Sequence, residues 1–475
     1  MFKLLLFLIF NFVSTLTKAN ELEKFTEDDL TSESNRYVGN HTLGVFIPGN
    51  NTFKTAKAIY IKNSDWDFPI KYYISKDLSY SKARINIKNV IRAYEKLTCV
   101  TFEESSEPIV NGPGITFVYD SASCYSVLGK DPSNVPQEIH LLYMCAENFG
   151  NVAHEIGHAL RLEHEHSRFD RDKYITIFEN NLRDDDVARS DILDKNNDEF
   201  KTYSDIPYDY GSVMHYERFG YAKEGLYGVA RAEGLETIKA NNIDPYSWMM
   251  GQQNQISFSD AKHINYHYCD KKCKEFPKVE CKNGGYRSYE TCTRCICPRG
   301  YEGNYCERIK LIPGRCSDDT LVAIDKLTYL IAKGTLVAID KLTYLIAKGA
   351  KSCNYLIKAK SDAYYIYLKF GYVHTTYLET CSQGNGLEIR HEKNKGTTGL
   401  CLCGRFYGLE IVSDSEEVYI EYHGRYPSNE FQLQFAQVFF MYTKPYLCWQ
   451  KVCYEKKDNY YVKQDKNYRN YKIED

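Results

Sequence analysis

The chain has 475 residues, with 60 basic and 63 acidic side chains and a formal net charge of −3. Single hydrophobic cores stop growing near about 250–300 residues, so we expect several domains. The near balance of charge excludes the basic surface of a nucleic-acid-binding protein and the polybasic patch of a membrane-surface protein.

The N-terminus has the pattern of a secretory signal peptide. Lys3 precedes an apolar run from Leu4 to Val13, and the small residues Thr17 and Ala19 follow. A membrane-spanning helix needs about 20 apolar residues, and this run stops far short of that length. We predict a cleaved signal over residues 1–19, a secreted, extracellular protein and no membrane span. The 17 cysteines fit an oxidising compartment, and their odd number leaves at least one without a partner in the chain.

A polar, acidic stretch follows over residues 20–56, and it is typical of a pro-segment. It carries two Asn-x-Thr sequons, which predict glycosylation at Asn40 and Asn50.

A packed domain begins near Ala58. The stretches "DFPIKYYI", "CVTFEE", "GITFVYD" and "EIHLLYMC" predict strands. Apolar residues at helical spacing predict one helix between the first two strands, at Ile87, Val90, Ile91, Tyr94 and Leu97. Strands followed by helices indicate an α+β domain.

The next helix carries "HEIGHALRLEHEH", residues 154–166, which can bind a metal. His154 and His158 are four residues apart, so a helix places them on one face, where they can chelate one ion. Glu155 lies beside them, where it can take a proton from water activated by that ion. His164 can be a third ligand only if the helix ends and the chain turns back. The alternative is a surface helix with histidines that serve no metal.

A second motif, "YDYGSVMHY", follows at residues 208–216. Its Gly-Ser turn presents Met214 as a metzincin presents the hydrophobic floor beneath its zinc. By itself the stretch is a turn with a core methionine, but it gains specificity after His-Glu-x-x-His and a third histidine.

The rest of the chain predicts two modules and a tail. Six cysteines fall between Cys273 and Cys306, so disulfides must hold that short segment together. Beyond Cys316, alternating stretches such as "AYYIYLKF" and "EVYIEYHG" predict a β-sandwich. The charged, tyrosine-rich tail after Tyr442 predicts poor order.

One segment of the sandwich is duplicated. "TLVAIDKLTYLIAKG" occupies residues 320–334 and again residues 335–349. Two copies are too few for a solenoid. We interpret them as a tandem duplication or an error in the gene sequence. A real second copy must loop out or add a strand.

Together these motifs resemble the astacin family of zinc metallopeptidases, which are metzincins, in the nematode arrangement with EGF-like and CUB modules. The stretches that carry the resemblance are "HEIGHALRLEHEHSRFDRD", "SVMHY", "TCVTF", "CYSVLG" and "SFSDAKHINYHYC". The resemblance implies an α+β metzincin peptidase domain over 57–270, a disulfide-rich EGF-like module over 271–307 and an all-β CUB-like sandwich over 316–441, with the tail at 442–475.

The resemblance also assigns roles. His154, His158 and His164 would bind one Zn²⁺, and Glu155 would be the general base and then a proton donor. Tyr216 would be an extra zinc ligand that swings away to stabilise the oxyanion, and Met214 would form the turn. Glu165 resembles the residue that pairs with the mature amino terminus.

His166 lies two residues past the third histidine of the motif. The resemblance favours His164 as the ligand, and we expect His166 to be an exposed residue with a structural role.

The family pattern further implies disulfides. The expected pairs are Cys99 with Cys269, Cys124 with Cys145, Cys273 with Cys292, Cys281 with Cys295, Cys297 with Cys306, Cys316 with Cys353, and Cys381 with Cys403. Cys401, Cys448 and Cys453 are left over, and the last two can pair.

Two features depart from the family. Arg161 stands where the family has a glycine with positive φ, and a residue with a Cβ loses about 1–2 kcal/mol in that conformation. We expect it to weaken or tilt the site without abolishing it. In the pro-segment, the candidates "YVGN" and "IPGN" have asparagine where family zymogens place a zinc-binding aspartate.

The sequence therefore predicts a secreted zinc metalloendopeptidase that hydrolyses extracellular or dietary proteins. Its partners would be protein or peptide substrates and an extracellular protein bound by the CUB-like module. Arg161 and the altered pro-segment motivate the alternative, a catalytically impaired secreted binding protein that acts through its CUB-like module.

Overall fold

The computed structural model describes residues 65–131, 133, 135–196, 206–223, 233–310, 342–441 and 443–464, with the strand backbones Leu43–Phe46, Leu321–Ala323 and Thr335–Val337. The predicted signal peptide, the sequons at Asn40 and Asn50, the start of the mature chain and Cys316 lie outside the described residues. Among the described helices, none is long and apolar enough to cross a membrane.

A mixed six-stranded sheet forms the upper half of the predicted peptidase domain. One of its strands, Leu43–Phe46, lies within the stretch predicted as the pro-segment, so the sheet extends across the predicted boundary at residue 57. Its strands are β1 Leu43–Phe46, β2 Ile70–Ile74, β3 Phe102–Glu104, β4 Gly114–Tyr119, β5 Cys124–Val127 and β6 Pro136–Leu141. Their order is β1-β5-β6-β4-β2-β3, and β5 runs antiparallel to β6 while the other pairs are parallel. Alternate residues of β2 are buried, as the apolar pattern predicts.

Helices cover one face of this sheet. They are α1 Ser81–Leu97, α2 Tyr143–Glu147 and α3 Phe149–Ala159. The apolar stripe of α1 is buried in the core that the sheet and α3 share. The Tyr94 hydroxyl donates to the Ala153 carbonyl at 2.6 Å, which fixes α1 against α3.

The described residues of the lower half of the predicted peptidase domain, which follows α3, form few helices and strands. It contains the two-stranded sheet β7 Ile175–Ile177 and β8 Ile238–Ala240, and the helices α4 Asp186–Leu193 and α5 Phe258–Ile264. The disulfides Cys99–Cys269 and Cys124–Cys145 join distant parts of the domain.

Three disulfides hold the small module that follows: Cys273–Cys292, Cys281–Cys295 and Cys297–Cys306. It contains two antiparallel pairs, β9 Tyr286–Arg287 with β10 Cys295–Ile296, and β11 Tyr301–Glu302 with β12 Arg308–Ile309.

The C-terminal part is all-β, with two sheets. One has nine strands: β13 Leu321–Ala323, β15 Thr343–Lys348, β17 Tyr364–His374, β20 Arg405–Phe406, β21 Leu409–Val412, β23 Glu430–Phe439, β24 Tyr446–Trp449, β25 Val452–Lys457 and β26 Tyr460–Lys463. The other has five: β14 Thr335–Val337, β16 Ser352–Lys358, β18 Gly386–Arg390, β19 Leu400–Leu402 and β22 Glu417–His423. Both copies of the duplicated segment supply strands, since β13 lies in the first copy and β14 and β15 lie in the second.

The prediction of a poorly ordered tail is wrong for residues 443–464. Strands β24, β25 and β26 extend the nine-stranded sheet, and the disulfide Cys448–Cys453 links β24 to β25. Lys456 is mostly buried because Glu392 and Asp414 pair with its ammonium group, at 2.9 and 2.7 Å. Composition misled here because these tyrosines and charged residues find partners in the neighbouring sheet.

The structure also gives the bonding state of four further cysteines in the C-terminal sheets. Cys381 is joined to Cys403, and Cys353 is disulfide-bonded. Cys401 is a buried free thiol.

Candidate active site

The capping of α3 fixes the helix that carries the histidine pair. At its start, the Asn148 side chain accepts from the Asn151 backbone amide at 3.0 Å. At its end, the Trp66 indole donates to the Ala159 carbonyl at 2.8 Å. His154 and His158 lie on its buried face, as their spacing predicts.

Arg161 ends the helix in the left-handed conformation, with φ of 71°. The Arg161 amide donates to the His158 carbonyl and the Leu162 amide to the Gly157 carbonyl, each at 2.8 Å. This is a Schellman motif, the usual helix ending in which glycine takes the position of Arg161. The chain therefore turns back after the helix, as His164 requires in order to reach the other two histidines.

The three histidines converge through their Nε2 atoms. His164 Nε2 lies 3.1 Å from His154 Nε2 and 3.1 Å from His158 Nε2. His154 Nδ1 lies 2.9 Å from the Val213 carbonyl and His158 Nδ1 lies 2.8 Å from the Leu162 carbonyl. A carbonyl only accepts, so each Nδ1 must carry the proton and each Nε2 must present its lone pair to the centre of the cluster.

The electrostatics keep these rings neutral. Burial lowers the pKa of His154 to about 4. Burial, with the neighbouring imidazoles, also lowers the pKa of His158 and of His164 well below the ordinary value. Neutral imidazoles are the form that binds a metal.

Glu155 lies next to the cluster and is fully buried. Neither of its carboxylate oxygens has a hydrogen-bond partner among the described residues. Burial raises the pKa of this carboxyl group well above its ordinary value. An unpartnered buried carboxylate beside three converging lone pairs fits a site for a divalent cation and a reacting water molecule. Three imidazole nitrogens are a donor set that zinc accepts readily. Among the described residues, His154, His158 and His164 form the one cluster that could hold a metal ion.

The turn at Met214 supports the cluster from below. Met214 is buried, and a Cβ added to Gly157 would meet its sulfur at 2.7 Å, so the thioether packs directly under the histidine helix. The same turn provides the Val213 carbonyl that orients His154. Asp260, at the start of α5, accepts from the Ser212 hydroxyl at 2.6 Å and from the Val213 amide at 2.9 Å.

Tyr216 packs against the third histidine. Its ring centroid lies 4.4 Å from that of His164 and 4.4 Å from that of His166, with the second pair stacked.

His166 is fully buried, so the expectation that it is exposed is wrong. Its Nε2 lies 3.0 Å from the Asp191 carbonyl, which places it behind the site as a structural residue.

Glu165 lies in a buried polar cluster. One of its oxygens accepts from the Arg168 guanidinium at 3.1 Å and from the Asp209 amide at 2.8 Å. Burial raises its pKa to about 7, although Arg168 lowers it. The mature amino terminus that the resemblance pairs with Glu165 lies outside the described residues.

Comparison with known proteins identifies the domain. Residues 58–269 match the model of the peptidase family described as Astacin. This domain belongs to the astacin family.

Two curated proteins that the chain resembles come from nematodes. Over 367 residues the chain is 29% identical to zinc metalloproteinase nas-34 of Caenorhabditis elegans, a match that covers 76% of this chain and 53% of that protein. Over 256 residues it is 36% identical to zinc metalloproteinase dpy-31 of Brugia malayi, a match that covers 53% of this chain and 39% of that protein. The chain thus spans about half the length of these relatives, or less.

Among solved structures, high choriolytic enzyme 1, a hatching enzyme zinc-protease from Oryzias latipes, is 28% identical to the chain. The match covers 44% of this chain and 92% of that chain, with a TM-score of 0.34.

Several residues around the astacin site were not predicted from the sequence. The Ser-x-x-Asp pattern of a capping box could have indicated Asp260 as a helix-capping residue at the start of α5. Its hydrogen bonds to the Met214 turn depend on the tertiary fold. Asp191 and Tyr221, which lie behind Tyr216, belong to no motif that the sequence analysis used.

Proposed function

We propose that the chain is a secreted zinc-dependent endopeptidase that hydrolyses peptide bonds of extracellular or dietary proteins. One observation carries the proposal: within an astacin-family domain, three neutral histidines converge beside the unpartnered carboxylate of Glu155. His154, His158 and His164 would hold the zinc ion. When bound, zinc supplies Lewis-acid polarisation of the scissile carbonyl and acidifies the attacking water.

The chain's own residues then handle the protons. Glu155 is the general base that accepts a proton from the attacking water, and it delivers that proton to the leaving amine. Its burial supports this role, because a carboxylate taken out of water is a stronger base than an exposed one. Tyr216 is the hydrogen-bond donor for the oxyanion that develops on the carbonyl oxygen. Met214 and the carbonyl groups of Val213 and Leu162 hold the histidines in place.

The C-terminal sheets belong to the same proposal as a CUB-like module, and the small disulfide module as an EGF-like one. The described contacts of the sandwich include several to the peptidase, such as Thr398 with Asp209 at 3.2 Å and Asn254 with Ser382 at 2.7 Å. These contacts support a role in holding the lower half of the peptidase together. An extracellular partner protein for this module remains a prediction from the resemblance.

The deciding experiment compares the zinc-loaded protein with its Glu155→Gln variant on an unfolded protein substrate such as denatured casein. We expect chelator-sensitive cleavage, and a loss of about 10²–10⁴-fold in kcat/KM in the variant, the usual contribution of a general base. Glu179→Gln is the matched control, because Glu179 is exposed and far from the motif in the chain. Zinc content must be measured for each protein. If the unchanged protein binds zinc stoichiometrically and cleaves nothing, the binding-protein alternative replaces the enzyme.

A further inference from the structure

The hydroxyl group of Tyr216 has Tyr221, a residue outside the metal-binding motif, as its hydrogen-bond partner. The ring centroids of Tyr216 and Tyr221 lie 5.9 Å apart, and the two hydroxyl groups are hydrogen-bonded to each other. Tyr221 also donates its hydroxyl proton to Asp191 Oδ2, with an O···O distance of 2.5 Å. An ionised carboxylate only accepts and a phenol has one proton. Tyr221 therefore donates its hydroxyl proton to Asp191, and its oxygen accepts the hydrogen bond from Tyr216.

The backbone at Tyr221 is in an unfavourable conformation that its surroundings enforce. Its φ is 55°, in the left-handed region that a bulky residue rarely adopts. The Arg183 amide donates to the Tyr221 carbonyl at 2.9 Å, and the Arg183 guanidinium lies 5.1 Å from the centre of the Tyr221 ring. Residues held in such conformations concentrate at functional sites. Here the conformation aims the Tyr221 hydroxyl between Tyr216 and Asp191.

Asp191 reaches Tyr216 by a second route. The Asp191 backbone carbonyl, in α4, accepts from His166 Nε2 at 3.0 Å. The His166 ring stacks on the Tyr216 ring, with 29° between the planes. One residue of α4 therefore holds the Tyr216 hydroxyl through its carboxylate and the Tyr216 ring through its carbonyl.

We propose that Tyr221 and Asp191 are positioning residues that hold Tyr216 in its resting orientation and control its move to the oxyanion. This inference rests on the proposed function of Tyr216. The single phenolic proton cannot be donated to Tyr221 and to the substrate's oxygen at once. The bond to Tyr221 must therefore break before Tyr216 can act, and the chain of hydroxyl groups works as a latch that raises the barrier of that step.

The kinetic test is Tyr221→Phe, which removes the acceptor and keeps the ring. We expect kcat to rise about 2–10-fold with KM little changed, the range that follows from losing one ordinary hydrogen bond in the resting state only. Asp191→Asn should act in the same direction with a smaller effect, because a neutral amide is a weaker acceptor. In a Tyr216→Phe background, which has no phenolic proton to release, Tyr221→Phe should change the residual activity by less than twofold. Tyr305→Phe, on the exposed surface of the small module, is the matched control.

A second measurement needs neither zinc nor activity. In the metal-free protein, thermal unfolding of Tyr216→Phe, Tyr221→Phe and the double variant should be non-additive, with the double variant losing less in Tm than the two single losses combined. Additive losses would show that the two hydroxyl groups are not coupled and would overturn the latch.

The outcomes separate the two proposals. If the unchanged protein cleaves substrate, Glu155→Gln does not, and Tyr221→Phe leaves kcat unchanged or lowers it, the latch is wrong and the peptidase stands. If the unchanged protein cleaves nothing while zinc is bound, the proposed function fails, and non-additive unfolding would then show a structural bond without a catalytic role, which also rejects the latch.

Discussion

At the scale of single residues, several contacts offset the conformational energy of the left-handed backbone at Arg161. The left-handed conformation costs a residue with a Cβ about 1–2 kcal/mol. Against this, both hydrogen bonds of the helix ending are made. The guanidinium lies 3.4 Å from Asp65, whose carboxylate also pairs with His267 at 2.7 Å and Lys271 at 3.1 Å. The turn therefore keeps the Leu162 carbonyl oxygen 2.8 Å from His158 Nδ1. The expected weakening or tilt of the site stays a prediction.

The backbone cost of Arg161 can be separated from its ion pair with two substitutions. Arg161→Ala loses the ion pair and keeps the strained conformation, whereas Arg161→Gly loses the ion pair and relieves the strain. We expect the glycine variant to be more stable than the alanine variant by about 1 kcal/mol in the free energy of unfolding, measured with urea. Equal stability of the two variants would contradict the left-handed conformation. Because the histidine contacts are backbone bonds, both variants should retain zinc.

At the scale of elements, the site depends on how α5 holds the turn at Met214. Asp260 accepts from the Ser212 hydroxyl, the Val213 amide and, in the capping box, the Ser257 amide at 2.9 Å. Burial raises its pKa to about 6, with the charge of Asp209 adding to the effect. The bonds of one carboxylate thus connect a helix start to the carbonyl that orients His154.

Asp260→Asn tests this connection. The amide nitrogen would face donors, so at least one of the three groups would lose its acceptor, and a buried polar group without a partner costs about 1–3 kcal/mol. We expect a loss of that size in the free energy of unfolding and weaker zinc binding, measured by urea unfolding and by competition with a chelator. Asp186→Asn, on the exposed first turn of α4, should change neither. Unaltered zinc affinity in Asp260→Asn would show that the turn does not depend on α5.

Sequence patterns predicted the elements that are periodic and the residues that sit in a motif. The stripe of α1 and five strands of the sandwich, β17, β18, β21, β22 and β23, were identifiable because their apolar residues recur at a regular spacing or form short continuous runs. "EIHLLYMC" was predicted as one strand, but the strand ends at Leu141 and α2 begins at Tyr143, a boundary that the bond from Cys145 to Cys124 favours and no local pattern marks. Glu155 could be predicted from its helix neighbours, whereas Asp191 reaches Tyr216 only through tertiary packing.

At the scale of the whole molecule, the sandwich and the lower half of the peptidase share one hydrophobic core. This core contains Tyr246 and Met249 of the peptidase and Leu400 and Leu402 of the sandwich. A Cβ added to Gly211 would meet the Thr398 side chain at 2.7 Å, which shows how closely the two surfaces approach. The turn that carries Met214 lies on the peptidase side of this contact. The sandwich is therefore expected to stabilise the half of the peptidase that supports the site.

A buried histidine makes this shared core sensitive to acid. His391 Nε2 lies 2.8 Å from the Tyr246 hydroxyl, across the boundary between sandwich and peptidase. Burial lowers the pKa of His391 to about 4, although Glu392 and Asp414 raise it and Lys456 and Lys395 lower it further. The unfolded chain binds this proton near pH 6.5 and the folded protein only near pH 4, so its contribution to stability is complete above about pH 6.5 and is lost as the pH falls towards 4.

His391→Gln removes that titration and leaves the other buried histidines unchanged. We expect the unchanged protein to lose up to about 3 kcal/mol more than the variant between pH 7 and pH 4, because each unit of pKa shift corresponds to about 1.4 kcal/mol. Urea unfolding at a series of pH values in this range measures the difference between the two curves, and histidines common to both proteins cancel. The variant should start lower at pH 7, since glutamine replaces the imidazole beside Tyr246, and the two curves should approach each other as the pH falls. Parallel curves would show that His391 is not held neutral at this boundary.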